Sequence, residues 1–380
     1  MPNPLQLLQA EGQSVWCDYI SRGSLTSGAF QRLIDEYAVT GVTANPTIFE
    51  KAIGGSADYD EAITKLARQS MDPTFVYETL ATEDVRRAAD SLRPIYDRTS
   101  GADGFVSLEV SPELAHDTAG TIAEAKRLWR EVDRPNLMIK VPGTDEGAPA
   151  VEELIADGLN INITLLFSVD AHRRVMDAYM AGLERRIRAG HPIDRSASVA
   201  SFFVSRVDTL VDKLLDAKLG EAEAGSQKEL LQQLRGKAAI ANAKIAYRSF
   251  QETFATDRFA SLKAKGARLQ RPLWASTSTK DPAYRDVVYV EELIGPETVN
   301  TMPQQTLDAF KDHGHVSRTV DKDLDKAQEV MTQLRQVGID MDEVTATLLD
   351  EGIRAFADSF AQLGAEITQK LGRMSAESAA

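Results

Sequence analysis

The feature that most constrains the fold of this chain is an alternation of short apolar, β-branched runs with longer segments of helical periodicity. Such runs are typical of buried strands, and the segments between them are long enough to form helices. A strand, a helix and another strand with short connections predict parallel pairing through right-handed crossovers. The predicted strands are residues 14–19, 41–45, 104–110, 136–141, 160–167, 197–204, 271–276 and 298–302.

The clearest of the intervening helices is predicted over residues 113–132, where apolar residues recur at spacings of three and four. Ser111 would cap this helix, and Pro112 would take the first helical position, where its missing N–H is not needed. Eight strand–helix units close a barrel, so the sequence predicts an α/β fold of the (β/α)8 TIM barrel type. The alternative is an open doubly wound sheet, which usually carries a G-x-G-x-x-G turn that is absent here.

Two segments exceed a minimal barrel, namely residues 208–266 after the sixth strand and the tail at residues 304–380. Both have helical periodicity. In the tail, the second of two apolar stripes consists of Val344, Leu348, Phe356, Phe360 and Leu363. Such stripes predict helices that pack on the barrel, and a partner-binding helix is the alternative. We therefore expect residues 1–380 to form a single barrel domain with two helical additions.

Charge and cysteine content limit the partners and the compartment. A formal net charge of −14 repels nucleic acid and anionic membranes. A small phosphorylated substrate remains compatible, because a nearby Arg or Lys outweighs a diffuse field that salt screens beyond about 8 Å. Cys17 is the only cysteine, which excludes an intrachain disulfide and fits a reducing compartment. The first residues do not resemble a signal peptide and no long apolar run occurs, so we expect a cytoplasmic protein.

The most informative residue is Lys140, which interrupts the apolar strand in NLMIKVPG. With a period of two, Met138 and Lys140 share a face that points into the barrel if the apolar set meets the helices. Burial disfavours an ammonium ion and exposes a nucleophilic amine, which can form a Schiff base with a carbonyl substrate. The alternative is that Lys140 lies near the strand end, where it reaches water or pairs with a carboxylate.

Polar side chains also occupy one face near the carboxyl ends of the neighbouring predicted strands. Each would need a hydrogen-bond partner in a core, whereas together at the mouth of a barrel they would form an active site. Singly, Asn45 before Pro46 fits a turn, and Ser107 or Thr164 fits a satisfied core hydroxyl. The residues in phase are Asp18, Thr43, Asn45, Ser107, Glu109, Asn162, Thr164, Ser201 and Phe203.

Imine chemistry needs groups that shuttle protons, and Asp18 and Glu109 are the acidic residues on these inward faces. Either one is alternatively a surface carboxylate beyond its strand end. For an anionic substrate group, Arg206 follows the sixth strand and Lys280 follows the seventh, where barrel enzymes often bind phosphate. Surface salt bridges are the alternative role for both cations.

Other chemistries lack their sequence signatures. The five histidines form no H-E-x-x-H motif, and His313-Gly314-His315 fits a solvated loop better than a metal site. The P-loop and G-x-S-x-G motifs are also absent. We therefore expect an enzyme that needs neither a metal nor another cofactor.

Longer segments of the chain resemble the transaldolase family, whose members are class I aldolase-type barrel enzymes of the pentose phosphate pathway. The matching segments span most of the predicted barrel, and the block from KVPGT to NITLLFS is the most specific of them. The segments are GVTANPTIFEKAI, VSLEVSPELAHDTAGTIAEAKRLW, NLMIKVPGTDEGAPAVEELIADGLNINITLLFS and SVASFFVSRVD, with weaker similarity in RPLWASTSTKDPAY.

The resemblance implies transfer of a dihydroxyacetone unit from sedoheptulose 7-phosphate or fructose 6-phosphate to glyceraldehyde 3-phosphate or erythrose 4-phosphate. It implies that Lys140 is the Schiff-base lysine, that Asp18 exchanges the substrate hydroxyl proton, and that Glu109 and Thr164 hold a catalytic water. The protein would be a monomer or a homodimer. The implied substrate contacts are Asn45, Asn162 and Ser201 to hydroxyl groups, and Arg206 to phosphate.

Two positions bear on the type of aldol chemistry and on the phosphate site. Phe203 matches a tyrosine of the related fructose 6-phosphate aldolases, and phenylalanine there favours transfer over free cleavage. Shorter transaldolases have a phosphate-binding arginine two residues after the serine that matches Ser276, whereas this chain has Ser278. The longer bacterial forms resemble this chain and suggest that Lys280 supplies the charge. Free aldol cleavage and a catalytically silent sugar-phosphate-binding barrel are the alternative functions.

Overall fold

The computed structural model describes residues 2–223 and 225–379 and contains a closed barrel of parallel strands in chain order. Residues 224 and 380, which fall in the two predicted helical regions, lie outside the described residues. The (β/α)8 prediction is confirmed. The strands are β1 Gln13–Cys17, β2 Val39–Val42, β3 Val106–Glu109, β4 Leu137–Pro142, β5 Ile161–Leu166, β6 Ser198–Phe203, β7 Gln270–Ala275 and β8 Thr298–Met302.

Each predicted strand overlaps an observed one, and the largest offset is at β2. The strand begins two residues before the predicted start and ends three residues early, at Val42. Asn45 is instead the N-cap of the next helix, where its side-chain oxygen accepts a hydrogen bond from the N–H of Ile48 at 2.9 Å. Pro46 then takes the first helical position. The capping requirement therefore ends the strand before the Asn-Pro pair.

Helices surround the barrel and extend beyond it within the described part of the chain. They occupy most of both regions that were predicted to be helical additions. The helices are α1 Pro4–Ala10, α2 Arg22–Thr26, α3 Ala29–Tyr37, α4 Pro46–Gly54, α5 Asp60–Ala67, α6 Pro73–Arg98, α7 Thr118–Val132, α8 Gly147–Asp157, α9 Val169–Arg188, α10 Ser205–Glu221, α11 Ser226–Leu234, α12 Ala238–Phe254, α13 Asp257–Lys263, α14 Val288–Glu291, α15 Gln304–His313, α16 Leu324–Gln336 and α17 Met341–Ala379.

The helix predicted over residues 113–132 begins later than expected. Pro112 opens a short 3-10 helix, Pro112–Leu114, in which the hydroxyl of Ser111 accepts the N–H of Glu113. The long helix α7 begins at Thr118, because Asp117 caps it through a 3.0 Å hydrogen bond from the N–H of Gly120. Two capping residues lie six positions apart, and the second one starts the α-helix.

The C-terminal helix α17 lies across the mouth of the barrel. It contacts α4, α5, α6 and α10 as well as the carboxyl end of β5. Thr47 and Ser359 join their hydroxyls at 2.8 Å, and Lys370 donates to Asp60 at 2.6 Å. The tail is therefore attached to α4 and α5, two helices that follow the second strand. None of the helices in residues 2–223 and 225–379 combines the length and the apolar character needed to span a bilayer.

Candidate active site

A cavity of about 460 Å³ opens at the carboxyl end of the barrel. Side chains from seven strand ends reach it, because parallel strands deliver their carboxyl ends to the same rim. The cavity also receives α4 and α17 residues. The sequence-predicted residues that line it are Asp18, Thr43, Asn45, Lys140, Thr164, Ser201, Phe203, Arg206, Ser276 and Lys280.

Lys140 lies at the base of this cavity and is only 3% exposed. Its Nζ atom lies 3.0 Å from Oε2 of Glu109 and donates a hydrogen bond to the carbonyl oxygen of Ala44 at 3.2 Å. The lysine therefore points into the barrel and also pairs with a carboxylate, so both features weighed from the sequence occur together. A buried ion pair of this kind can exchange a proton and leave a neutral amine.

Glu109 lies on the neighbouring strand, beside Lys140 in register. Burial raises the pKa of the Glu109 carboxyl, and the charge of Lys140 only partly opposes that shift. Oε1 of Glu109 and the hydroxyl of Thr164 are buried without a hydrogen-bond partner among the described residues. Two such groups beside a reactive amine are suited to holding a water or a substrate hydroxyl.

Asp18, just past the end of β1, is held by a chain of hydroxyls. Thr43 donates to Oδ1 of Asp18 at 2.6 Å, and Thr301 lies 2.7 Å from the Thr43 hydroxyl. Burial raises the pKa of Asp18, whereas the Thr43 hydrogen bond and then the charge of Lys140 act in the opposite direction. A carboxylate with a raised pKa in a cavity is suited to accept a proton from a substrate hydroxyl.

Asn162 does not line the cavity but lies beneath it, fully buried. Its amide nitrogen donates to Ser107 at 3.0 Å, and Ser201 donates to its amide oxygen at 2.7 Å. This network ties β3, β5 and β6 together under the site. Asn162 therefore orients Ser201, which does reach the cavity. Asn45 lines the cavity too, although its side-chain oxygen also caps α4.

Three cations surround the outer part of the cavity, and Lys51 of α4 joins the two expected from the sequence. Burial lowers the pKa of Arg206, and its guanidinium carbon lies 5.3 Å from the centre of the Phe203 ring. Burial, followed by the charges of Arg206 and Lys51, lowers the pKa of Lys280. Mutual repulsion of this kind is relieved when a phosphate dianion binds.

The loop after β7 carries Lys280 and contains one residue with a strained backbone. Ser276 has a φ of 56°, in the left-handed region that a non-glycine residue rarely adopts. Its hydroxyl lies 2.8 Å from that of Ser205, at the start of α10. Two residues on, Ser278 accepts a 2.8 Å hydrogen bond from the Nζ atom of Lys280. The loop therefore directs polar groups and Lys280 toward the cavity.

Sequence reasoning missed several lining residues. Lys51 follows the predicted β2 strand by a helical turn and a half and carried no motif that sets it apart from a surface lysine. Phe356 was assigned to the apolar stripe of the tail, yet it lines the cavity with its ring centre 5.9 Å from Nζ of Lys140. Periodicity marks an apolar residue as buried but does not distinguish a core position from the wall of a site.

The chain matches the family model described as transaldolase/fructose-6-phosphate aldolase over residues 15–367. A protein named Transaldolase from Acidothermus cellulolyticus is 51% identical over 374 residues, which cover 98% of each protein. A Transaldolase from Frankia alni is 50% identical over 374 residues, 98% of this chain and 99% of that protein. One from Mycolicibacterium smegmatis is 48% identical over 363 residues, 95% of each. The resemblance expected from the motifs is confirmed, and this chain belongs to the transaldolase/fructose-6-phosphate aldolase family.

Proposed function

We propose that this protein is a transaldolase of the pentose phosphate pathway that works through a Schiff base on Lys140. It transfers a dihydroxyacetone unit from sedoheptulose 7-phosphate or fructose 6-phosphate to glyceraldehyde 3-phosphate or erythrose 4-phosphate. The observation that carries the proposal is the buried Lys140–Glu109 pair, 3.0 Å apart, whose lysine lies at the base of a cavity with cations at its mouth. This Schiff-base chemistry needs no cofactor.

Substrate orientation follows from the distribution of charge in the cavity. The phosphate of the sugar would bind near Arg206, Lys280 and Lys51, in the outer part of the cavity. The ketose carbonyl would then reach Lys140 at the base. Fixing both ends of an extended chain places the reacting atoms together and lowers the entropic cost of reaction.

Imine formation begins with proton transfer from the ammonium group of Lys140 to Glu109. The neutral amine adds to C2 of the ketose, and Glu109 relays the amine's released proton to the carbonyl oxygen, giving a carbinolamine. The acid form of Glu109 then protonates that hydroxyl, the C–O bond breaks, and water leaves. An iminium ion on Lys140 and the Glu109 carboxylate remain. Thr164 supports this step by holding the water beside Glu109.

Cleavage and transfer use Asp18. Its carboxylate takes the proton of the C4 hydroxyl, the C3–C4 bond breaks, and the electron pair moves to the iminium nitrogen. An aldose phosphate leaves, and the dihydroxyacetone unit stays on Lys140 as an enamine. The enamine carbon then attacks the aldehyde of the acceptor, and Asp18 returns its proton to the new hydroxyl. Water finally hydrolyses the iminium ion and releases the product ketose.

Several features support transfer rather than free aldol cleavage or silent binding. Phe203 lines the cavity, and it matches the position at which the related fructose 6-phosphate aldolases have a tyrosine. Asn45 and Ser201 line the same cavity as candidate contacts to substrate hydroxyls. A silent barrel would have no use for a buried lysine paired with a carboxylate of raised pKa. We further propose that the protein is a monomer or a homodimer and that it is cytoplasmic. The single cysteine supports the cytoplasmic location, because it fits a reducing compartment.

Borohydride trapping tests the proposal. The protein is incubated with fructose 6-phosphate, reduced, and analysed by intact mass and then by peptide mapping. A ketose- or dihydroxyacetone-derived increment on the Lys140 peptide, together with sedoheptulose 7-phosphate made only when erythrose 4-phosphate is present, is the expected result. Dihydroxyacetone release as fast as transfer would favour free cleavage. Folded protein without an adduct would overturn the mechanism and favour a silent barrel.

A further inference from the structure

The C-terminal helix α17 forms part of the active-site wall. Most of the wall comes from strand ends and the segments that follow them, but Phe356 reaches the same cavity from the middle of α17. Its side chain is only 3% exposed. More than 200 residues separate it along the chain from Lys140, so only the path of α17 brings the two together.

Phe356 covers the side of Lys140 that faces the tail. The ring centre lies 5.9 Å from Nζ, within the range of an attractive contact between an ammonium ion and an aromatic face. Nζ also contacts Glu109 and the backbone oxygen of Ala44. The reactive nitrogen therefore has two polar neighbours and one aromatic ring close to it.

The position of Phe356 depends on a close approach of α17 to the barrel. At Gly352, one helical turn earlier, a Cβ atom would lie 2.8 Å from Cδ2 of Leu165 and 3.6 Å from Nη1 of Arg206. A side chain at this position would displace Leu165, so glycine favours this close approach of the helix to β5. One turn after Phe356, the ring of Phe360 packs edge-on against Tyr77 at 5.5 Å, which anchors the helix on α6.

We propose that Phe356 is a specificity-determining residue that keeps bulk water away from the imine on Lys140, and so sets the ratio of transfer to hydrolysis. The inference rests on the proposed transaldolase function. It adds a role for the tail, because the residue that protects the intermediate comes from α17 rather than from the barrel.

The competing reaction defines what this cover must prevent. In hydrolysis, the enamine carbon takes the proton that Asp18 holds after cleavage, which gives an iminium ion. A water oxygen then adds to the imine carbon, the two water protons pass by way of Glu109 to the nitrogen, the C–N bond breaks, and free dihydroxyacetone leaves the Lys140 ammonium group. In transfer, the same three-carbon enamine waits for an aldose acceptor. An aromatic ring offers water no hydrogen bond on the side it covers, so a water is retained only beside Glu109 and Thr164.

The experiment compares two rates in the full-length enzyme. Free dihydroxyacetone released from fructose 6-phosphate without an acceptor measures hydrolysis, and sedoheptulose 7-phosphate made with erythrose 4-phosphate measures transfer. We expect Phe356→Ala to raise the hydrolysis-to-transfer ratio about tenfold, which corresponds to about 1.4 kcal/mol of barrier. Phe356→Leu, which fills more of the space, is expected to raise it about threefold.

Phe360→Leu is the matched control, because it shortens an aromatic residue of the same helix that packs on Tyr77. Its ratio should equal that of the wild type, and a rise as large as that of Phe356→Ala would overturn the assignment to Phe356. An unchanged ratio in Phe356→Ala or Phe356→Leu that still forms the trapped imine would also overturn it. Circular dichroism and thermal melting select folded variants, with Phe356→Leu as the milder change. Failure to trap the imine in the wild type would refute the proposed function itself, and this outcome is distinct from a failure of the inference about Phe356.

Discussion

The Nζ atom of Lys140 and the Oε2 atom of Glu109 lie 3.0 Å apart, although both side chains are almost completely buried. The two residues are register partners on neighbouring strands and point to the same side of the barrel wall. Burying an ion pair is costly unless further polar groups satisfy it, and Oε1 of Glu109 has no partner in the described residues. The pair is therefore better explained by chemistry than by stability.

Replacing Glu109 by Gln should leave the fold intact but slow imine formation. The amide cannot accept the lysine proton or return it to the departing hydroxyl, so the rate of borohydride-trappable adduct formation should fall about 100-fold or more. Glu124→Gln is the matched control, because that carboxylate accepts the backbone N–H of Ser111 at 3.0 Å, whereas Glu109 pairs with the amine of Lys140. Rapid-quench trapping measures both variants, and an unchanged rate in Glu109→Gln would contradict the assigned role.

Asp18→Asn should separate imine formation from carbon–carbon cleavage. Without a carboxylate to take the C4 hydroxyl proton, the reduced adduct from fructose 6-phosphate should carry six carbons instead of three. Intact mass distinguishes the two adducts directly. A three-carbon adduct formed at the wild-type rate would assign the base elsewhere.

The pH dependence of cleavage provides a second test of Asp18. Because only the ionised carboxylate accepts the proton, activity should rise with pH through the pKa of Asp18. Burial raises that pKa, so the acid limb of kcat should lie above the ordinary aspartate value of 3.8. The profile is measured with saturating donor and acceptor, and the residual turnover of Asp18→Asn should lack this limb. An acid limb at or below 3.8 in the wild type would be inconsistent with a buried base.

Removing the charge of Lys280 should weaken phosphate recognition and spare the chemistry. Lys280→Ala is expected to raise KM for fructose 6-phosphate about tenfold or more, in line with the loss of one charge-assisted contact. Borohydride trapping with unphosphorylated dihydroxyacetone should be unchanged. Lys51→Ala should behave similarly, and Lys322→Ala, outside the cavity lining, serves as control. Equal losses with both substrates would argue against a phosphate role.

Tyr284 should also affect phosphate recognition, although it does not line the cavity. Its hydroxyl donates to Asp212 of α10 at 2.6 Å, which ties the loop that carries Lys280 to the helix that carries Arg206 in its first turn. Tyr284→Phe should raise KM for sugar phosphates about threefold to tenfold, with little change in kcat. Tyr247→Phe, which removes a hydroxyl bonded to the Pro296 carbonyl, is the matched control. A fall in kcat without a change in KM would contradict the positioning role.

Asp208 provides a stability prediction. Burial raises its pKa from 3.8 to about 6, although it accepts hydrogen bonds from the N–H of Ala239 and the hydroxyl of Tyr289. A raised folded-state pKa means that the folded protein binds the proton more tightly, so stability decreases as pH rises from about 4 through 6. Relative to Asp208→Asn, the wild type should lose about 3 kcal/mol over that interval. Urea unfolding at several pH values measures this difference, and a constant difference would refute it.

The strands and their faces follow from local sequence. Alternation of apolar and polar residues places Lys140 and Glu109 on one side of their strands wherever those strands end up, because side chains in a strand alternate with a period of two. The eight strand–helix units then predict a barrel, and a barrel brings strand ends to one rim. The cavity that contains Asp18, Lys140 and Arg206 could therefore be expected from the sequence.

Only the tertiary structure decided the relationships between distant segments. The distance from Phe356 to Lys140, the approach of Lys51 to Lys280 and the hydroxyl chain from Thr301 to Asp18 depend on how elements pack after the barrel closes. Periodicity reports whether a residue is buried, which makes a phenylalanine of the core and a phenylalanine of the active-site wall look alike. The local sequence of each helix and strand determines which residues are buried. Long-range packing determines which residues become neighbours, so only the tertiary structure shows that Phe356 lies beside Lys140.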